Sequence, residues 1–415
     1  TPETLRGDRV HEPGPPGLRG FRMLAFLAIA LSIFGLVNFY IGRRGAQALA
    51  GVPAARTVFL IVFVALTLAY PLARVLRALA RELAPSWLEK IGSFHMAIML
   101  YGFLAVLLID LVRLVNAFLP FLPRALTASC GRTGAVLFLA ITGLIGLTIA
   151  AGAWNAAHFR TVELELHLPR RAGTADRLTV VVVSDLHLGT LIGPSRLDKI
   201  VGRINALAPD IVFFPGDIVD ETVTEKVETR LSAGMRKIQA PLGIIAVPGN
   251  HEFYSGLART LACLRACGIT VLEDQAVRMA EAFVVVGRRD RSSLTPGEKR
   301  MPIGDILARS GIDDSLALIL LDHQPAHLEQ AEQAGVSLQL SGHTHAGQLF
   351  PLDIINKLVW ELNRGFLRKG RTQYYVTSGV GTWGPPVRTG SRPEIVRIDL
   401  RFDRTEGTGG READR

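Results

Sequence analysis

The chain has 415 residues, a hydrophobic fraction of 49% and a formal net charge of +9. Its three cysteines exclude a disulfide-stapled scaffold and fit a reducing compartment. Residues 1–154 hold 14 Lys+Arg against 6 Asp+Glu and the remainder 32 against 31, so the basic excess reads as lipid-headgroup and topology charge, and no nucleic-acid partner is expected.

The chain begins at Thr1, without an initiator Met, and its numbering is expected to start inside a longer product. Residues 1–22 form a basic tail. Four apolar runs follow, 23–41, 57–73, 94–112 and 133–154, each near the roughly 20 residues that cross a bilayer. Four runs separated by short basic loops exclude a lone signal peptide and predict an all-α membrane domain over 23–154. Lys and Arg number eleven on the side of the N-terminal tail and six on the other. That bias predicts a multi-pass protein of the cell membrane with its C-terminal domain in the cytoplasm. Asp110, inside the third run, has Arg113 three residues on, an ion-pair spacing.

Residues 155–177 read as a linker, 178–403 as a second domain, and 404–415 as a disordered tail. Within the domain, continuous apolar runs predict strands buried on both faces: 178–183, 210–214, 242–247, 283–287, 316–321, 336–340, 373–377 and 394–400. Helical patterns lie between several of them. Leu197, Ile200, Val201, Ile204 and Leu207 make one stripe, and a second helix ends at Gly268 with Cys263 and Cys267 as small buried residues. The alternation predicts a layered α/β architecture.

Each of five strands runs into chemistry: "SDLHLG", "PGDIVD", "PGNHE", "DHQP" and "SGHTH". In α/β sheets the ligand site lies beyond the carboxyl ends of the strands. Five of the ten histidines, His187, His251, His323, His343 and His345, sit there. Carboxylate and imidazole donors suit borderline divalent metals such as Mn, Fe or Zn, and the absence of thiolates argues against a structural zinc knuckle. The donors outnumber one tetrahedral site. A pair of ions roughly 3.5–4 Å apart accounts for them, and would bind a phosphoryl oxygen, lower the pKa of water and orient in-line attack.

In these blocks the sequence resembles the calcineurin-like metallophosphoesterase superfamily. The motifs stand as D-x-H at Asp185 and His187, G-D-x-x-D at Gly216, Asp217 and Asp220, G-N-H-E at Gly249 to Glu252, a lone His323 after a strand, and G-H-x-H at Gly342, His343 and His345. The resemblance covers about residues 178–400 and implies an α/β/β/α sandwich with two divalent ions. It implies Asp185, His187 and His345 as ligands of one metal, Asn250, His323 and His343 of the other, and Asp217 as the bridging carboxylate. His251 matches the histidine that stabilises the transition state or protonates the leaving oxygen. Asp220 fits a group that orients a ligand. The segments "GHTHAGQLFP" and "SGVGTWGPPVRTGSRPEI" are similar to the membrane-anchored branch.

Outside the motifs, His327 reads as a solvated helix residue, and His95, His158 and His167 as structural or interfacial. Arg288 and Arg289 can reach a substrate phosphate, a job that suits guanidinium groups, but read first as a solvated loop. Arg388 can be either a site-edge or a structural residue. Over 351–370, Ile354, Ile355, Leu358, Val359, Leu362 and Phe366 form an apolar stripe beside Trp360 and the basic Arg364, Arg368, Lys369 and Arg371. That profile fits either an interfacial segment or a helix packed on the domain. The expected function is a membrane-bound phosphoesterase acting on a phosphodiester or pyrophosphate carrying a lipid. The alternatives are a phosphodiesterase or nuclease merely tethered to the membrane, and a sensor or transport-like module with a regulatory phosphoesterase domain.

Overall fold

The structure is a computed structural model and describes residues 16–79, 85–123, 131–170, 176–189, 192–220, 223–279, 282–294, 298–312 and 316–404. Residues 1–15 of the basic tail and 405–415 of the expected disordered tail lie outside the described residues.

Among the described residues, four helices are long and apolar enough to cross a membrane: α1 (Pro16–Ala48), α2 (Pro53–Leu79), α3 (Ser86–Phe118) and α4 (Arg132–Ala157). The chain divides into two compact units. The first holds residues 1–68 and 98–145. Burying a charge in apolar surroundings requires partners for it, and Asp110 has them. Asp110 accepts from Tyr40 at 2.5 Å and from Arg44 Nε at 2.9 Å, while Arg113, its expected partner, is 3.7 Å away.

The second unit holds residues 69–97 and 146–415. Two six-stranded sheets dominate it. In the first the order is β1 (Arg160–Arg170), β12 (Glu394–Arg404), β2 (Arg177–Val182), β3 (Ile211–Pro215), β4 (Ile244–Val247), β5 (Thr270–Val271). In the second it is β10 (Gly365–Lys369), β11 (Thr372–Val376), β9 (Leu338–Ser341), β8 (Ala317–Leu321), β7 (Phe283–Gly287), β6 (Gln275–Met279). Strands β2 to β5 and β7 to β9 are parallel within their sheets. Alternate side chains of both sheets, among them Val180, Phe213, Ile245, Phe283, Ile319 and Leu338, fill the space between them. The other face of the first sheet packs on α5 (Pro194–Ala206), α6 (Glu225–Met235) and α7 (Asn250–Ala266), and that of the second on α8 (Ile303–Arg309) and α9 (Glu329–Gln333). This is the expected α/β/β/α sandwich. Strands covered on both faces must be apolar throughout.

Three expectations change. The linker 155–177 is largely structured: α4 runs to Ala157, and 160–170 is β1, paired parallel with β12. It is an edge strand. Val162, Leu164, Leu166 and Leu168 face the core between Glu163, Glu165 and His167, a period of two that a search for continuous apolar runs passes over. The segment 351–370 is not one helix. A short helix, α10 (Leu352–Val359), stops at Val359, and after Gly365, whose φ is +85°, the chain returns as β10 against β11. Leu362 then packs on the outer core of the second sheet and Phe366 lies on a strand. Arg288 is not solvated. It is 2% exposed, donates to Gln330 and the Met301 carbonyl at 3.0 Å, and lies 3.5 Å from Asp322.

Candidate metal centre

All nine residues singled out at strand ends converge on one edge of the sandwich. Asp185 and His187 follow β2, Asp217 and Asp220 follow β3, Asn250 and His251 open α7 after β4, His323 follows β8, and His343 and His345 follow β9. Five of them have left-handed backbone: Asp185 at φ 55°, His187 at 49°, Asp217 at 54°, His343 at 71° and His345 at 47°. Each such residue costs on the order of 1–3 kcal/mol and persists only where the surroundings dictate it. Here a ladder of loop bonds dictates it. Asp185 N donates to Gly216 O, His187 N to Asp217 O and Leu188 N to Ile218 O at 2.9–3.1 Å. Two glycines let the loops close: a Cβ on Gly249 would run into Asp217, and one on Gly342 into Ser184 and Asp185.

Among the described residues donor atoms gather in three sets, of which His187, Asp220 and His251 make one. Asp185, His187 and His345 each offer one atom within 4.8 Å of the others, and so do Asp217, His323 and His343. In the first set His187 Nε2 is 3.0 Å from His345 Nε2, and His345 Nε2 is 3.6 Å from Asp185 Oδ1. In the second, Asn250 Oδ1 lies 2.9 Å from His343 Nδ1 and 3.1 Å from His323 Nε2. Asp217 Oδ2 joins them, at 3.1 Å from His323 Nε2 and 3.9 Å from His187 Nε2. Its Oδ1 accepts from the His251 backbone N–H at 2.9 Å. Imidazole nitrogens that face each other and a shared carboxylate, in buried surroundings, are what a pair of divalent cations needs.

The electrostatics agree. Burial would raise the Asp217 carboxyl, but the charge of His323 beside it overrides that and holds it well below the usual carboxylate range. Burial would lower His323, yet Asp217 raises it well above the usual imidazole range. Burial, with His323 nearby, pushes His343 down to about 3. Burial, then His187 and Arg388, keep His345 well below its ordinary value. Two histidines are thus neutral and ready to ligate, and the metal-free charge of Asp217 is balanced by a proton on His323.

Asp220 and His251 stand at the mouth. Asp220 Oδ1 pairs with His251 Nδ1 and lies 3.5 Å from His187 Nδ1. These partners lower the Asp220 carboxyl although burial opposes it. The His251 ring makes an edge contact with His187 at 4.6 Å and with Tyr254 at 5.8 Å.

Two supporting residues take their roles from the structure. Glu252, fully buried, accepts from the backbone N–H groups of Asp217, Ile218, Val219 and Gly249 at 2.7–3.0 Å. It therefore shapes the turn that carries Asp217. Its place after His251 in G-N-H-E was the available signal. Arg388, left open above, is also fully buried. Its guanidinium donates to the carbonyls of Ser378, Gly379 and Gly381, and Nη2 is 3.0 Å from His345 Nδ1. His327 is exposed and pairs with Glu329, and His95 is buried in α3.

The sequence pattern of the calcineurin-like phosphoesterases matches residues 178–347. An uncharacterized metallophosphoesterase of Aquifex aeolicus is 34% identical over 243 residues, 58% of this chain and 90% of that protein. One from Campylobacter jejuni is 27% identical over 381 residues, 91% of this chain and 98% of that protein. The zebrafish transmembrane protein with metallophosphoesterase domain is 34% identical over 280 residues, 64% of this chain and 62% of its own length. The chain likewise spans 60% of a Helicobacter pylori relative. Fold, motif order and these relatives place the chain in the calcineurin-like phosphoesterase family, among metal-dependent phosphoesterases.

Proposed function

We propose that the chain is a multi-pass protein of the cell membrane whose catalytic domain lies in the cytoplasm and hydrolyses a phosphodiester or pyrophosphate bond, in a substrate that carries a lipid. The observation that carries the hydrolytic reading is Asp217, whose one carboxylate oxygen lies between two sets of imidazole, amide and carboxylate donors. Asp185, His187 and His345 would hold one divalent ion, Asn250, His323 and His343 the second, and Asp217 both; Mn, Fe or Zn suits these donors. The ions, when bound, supply the positive charge that neutralises phosphoryl oxygens and makes water a competent nucleophile. The chain's own residues do the rest. Asp220 holds Nδ1 of His251, which leaves Nε2 as the ring nitrogen available for proton transfer at the leaving oxygen. Glu252 fixes the Asp217 turn, and Arg388 fixes His345. The membrane reading is supported by the four apolar helices and by the printed name of the zebrafish relative.

The test uses the full chain loaded with Mn and a chromogenic phosphodiester. His251→Ala should cut kcat by about 10²–10⁴, the usual contribution of a positioned proton donor, with metal content unchanged. A loss of metal in step with activity would make His251 a ligand and overturn the role given to it.

A further inference from the structure

The eight-residue helix α10 is folded inside out. A surface helix buries its apolar face and shows its polar one. Here the polar side is the docked side. Asn356 Nδ2 donates to Thr344 O at 3.0 Å, beside the turn of His345, and Thr344 Oγ1 donates to Asn363 O at 2.5 Å, just past the helix. Asp353 lies against Gly347 and Gly390. The apolar side faces out: Ile354 is 50% exposed, Ile355 55%, Leu358 83% and Val359 67%, with Phe350 at 54%. No residue of the helix is buried.

A single loop joins this helix to α4. Gly152 of α4 sits against Val387 and Thr389, so closely that a Cβ there would strike both. Asn155 donates to the carbonyls of Arg388 and Ser391 at 2.8 and 2.9 Å, and Arg388 N donates to Gly152 O at 2.9 Å. The same loop continues to the rim: Thr389 N and Gly390 N donate to Gln348 O at 3.0 Å, and Phe350 N donates to Thr389 Oγ1 at 3.0 Å. Near the last turn of α4, Trp154 is 63% exposed, and Trp383, whose backbone N–H donates to Gln348 Oε1, is 58% exposed. Exposed tryptophans at the end of an apolar helix mark the level of a membrane interface. Arg364, Arg368 and Arg371, in the hairpin that follows the helix in sequence, are exposed and suit anionic headgroups.

We infer that the outward face of α10, with Phe350, docks on the lipid surface of the same bilayer that α4 enters, so that the metal centre opens at headgroup depth. This rests on the membrane reading proposed above. Trp360 makes the link to the site, its ring in edge contact with His343 at 5.5 Å between centroids. The substrate class that follows is a phosphate ester or pyrophosphate held in the headgroup layer, reached without leaving the membrane.

The experiment reconstitutes the full chain in phosphatidylcholine–phosphatidylglycerol vesicles doped with a phospholipid carrying a diazirine on its acyl chain. After irradiation, adducts are mapped by peptide mass spectrometry. The expected result is adducts in the four helices and in residues 350–360. Leu358→Ser with Val359→Ser should lower the yield in 350–360 at least fivefold and leave the α4 yield as it was. Adducts in the helices but none in 350–360 overturn the docking surface and leave the membrane reading intact. Adducts in neither overturn both. Cross-links between two copies through 350–360, without lipid adducts there, would assign the face to a dimer and overturn the proposal.

Discussion

Nη2 of Arg388 stands 3.0 Å from Nδ1 of His345. A guanidinium only donates, so this contact disfavours positive charge on the ring and keeps a candidate ligand neutral. The same side chain ties down the carbonyls of Ser378, Gly379 and Gly381, and its own carbonyl is held by Asn155. One buried residue therefore connects the end of α4 to the metal centre.

Arg388→Lys keeps a charge but loses the planar fork. Partners that orient a ligand are typically worth 10–100-fold in metal affinity. The variant should weaken Mn binding by about that factor, measured by titration of the metal-stripped full chain. Wild-type affinity in a folded Arg388→Lys chain would limit Arg388 to loop packing.

Glu252 supports a second, separable prediction. Four backbone N–H groups converge on its two oxygens. Glu252→Gln puts a donor where two of those groups point. An unmet buried hydrogen bond costs about 1–3 kcal/mol, so denaturant unfolding should show a loss of about that size. Metal affinity should fall as well, because the turn that shifts carries Asp217. Unchanged stability would contradict the geometry.

Much of this was legible in the sequence, and for one physical reason. Parallel strands buried on both faces are continuous apolar runs, so Val180–Val183, Ile211–Phe214 and Leu318–Leu321 announce themselves, and the polar residues beyond each run are the site. What was not legible follows different rules. Strand β1 alternates because it is an edge. The place of Glu252 in G-N-H-E marks the residue, but its role consists of bonds to the backbone N–H groups of Asp217, Ile218, Val219 and Gly249, partners that residue identity does not name. Arg388 is buried by carbonyls brought to it by folding. The apolar stripe of α10 was visible, but not which side of it faces the domain.

Metal binding should release protons. In the metal-free chain Asp217 raises His323 well above the usual imidazole range, so His323 carries a proton at neutral pH that a ligand must give up. A raised pKa means the proton is held below the folded value and lost above it. Apparent affinity for Mn should therefore fall as pH is lowered from 8 to 6. Calorimetry in buffers of different ionisation enthalpy should record net proton release. A pH-independent affinity without release would contradict the Asp217–His323 ion pair.

The central claim is that Asp217 serves two metal ions at once. The direct measurement is metal content per chain by elemental mass spectrometry, on the full chain stripped, reloaded with Mn and assayed on a phosphodiester. Two ions per wild-type chain are predicted, with loss of at least one and of turnover in Asp217→Asn. A wild-type chain that saturates at one ion, or an Asp217→Asn chain that keeps two ions and its rate, would contradict the account.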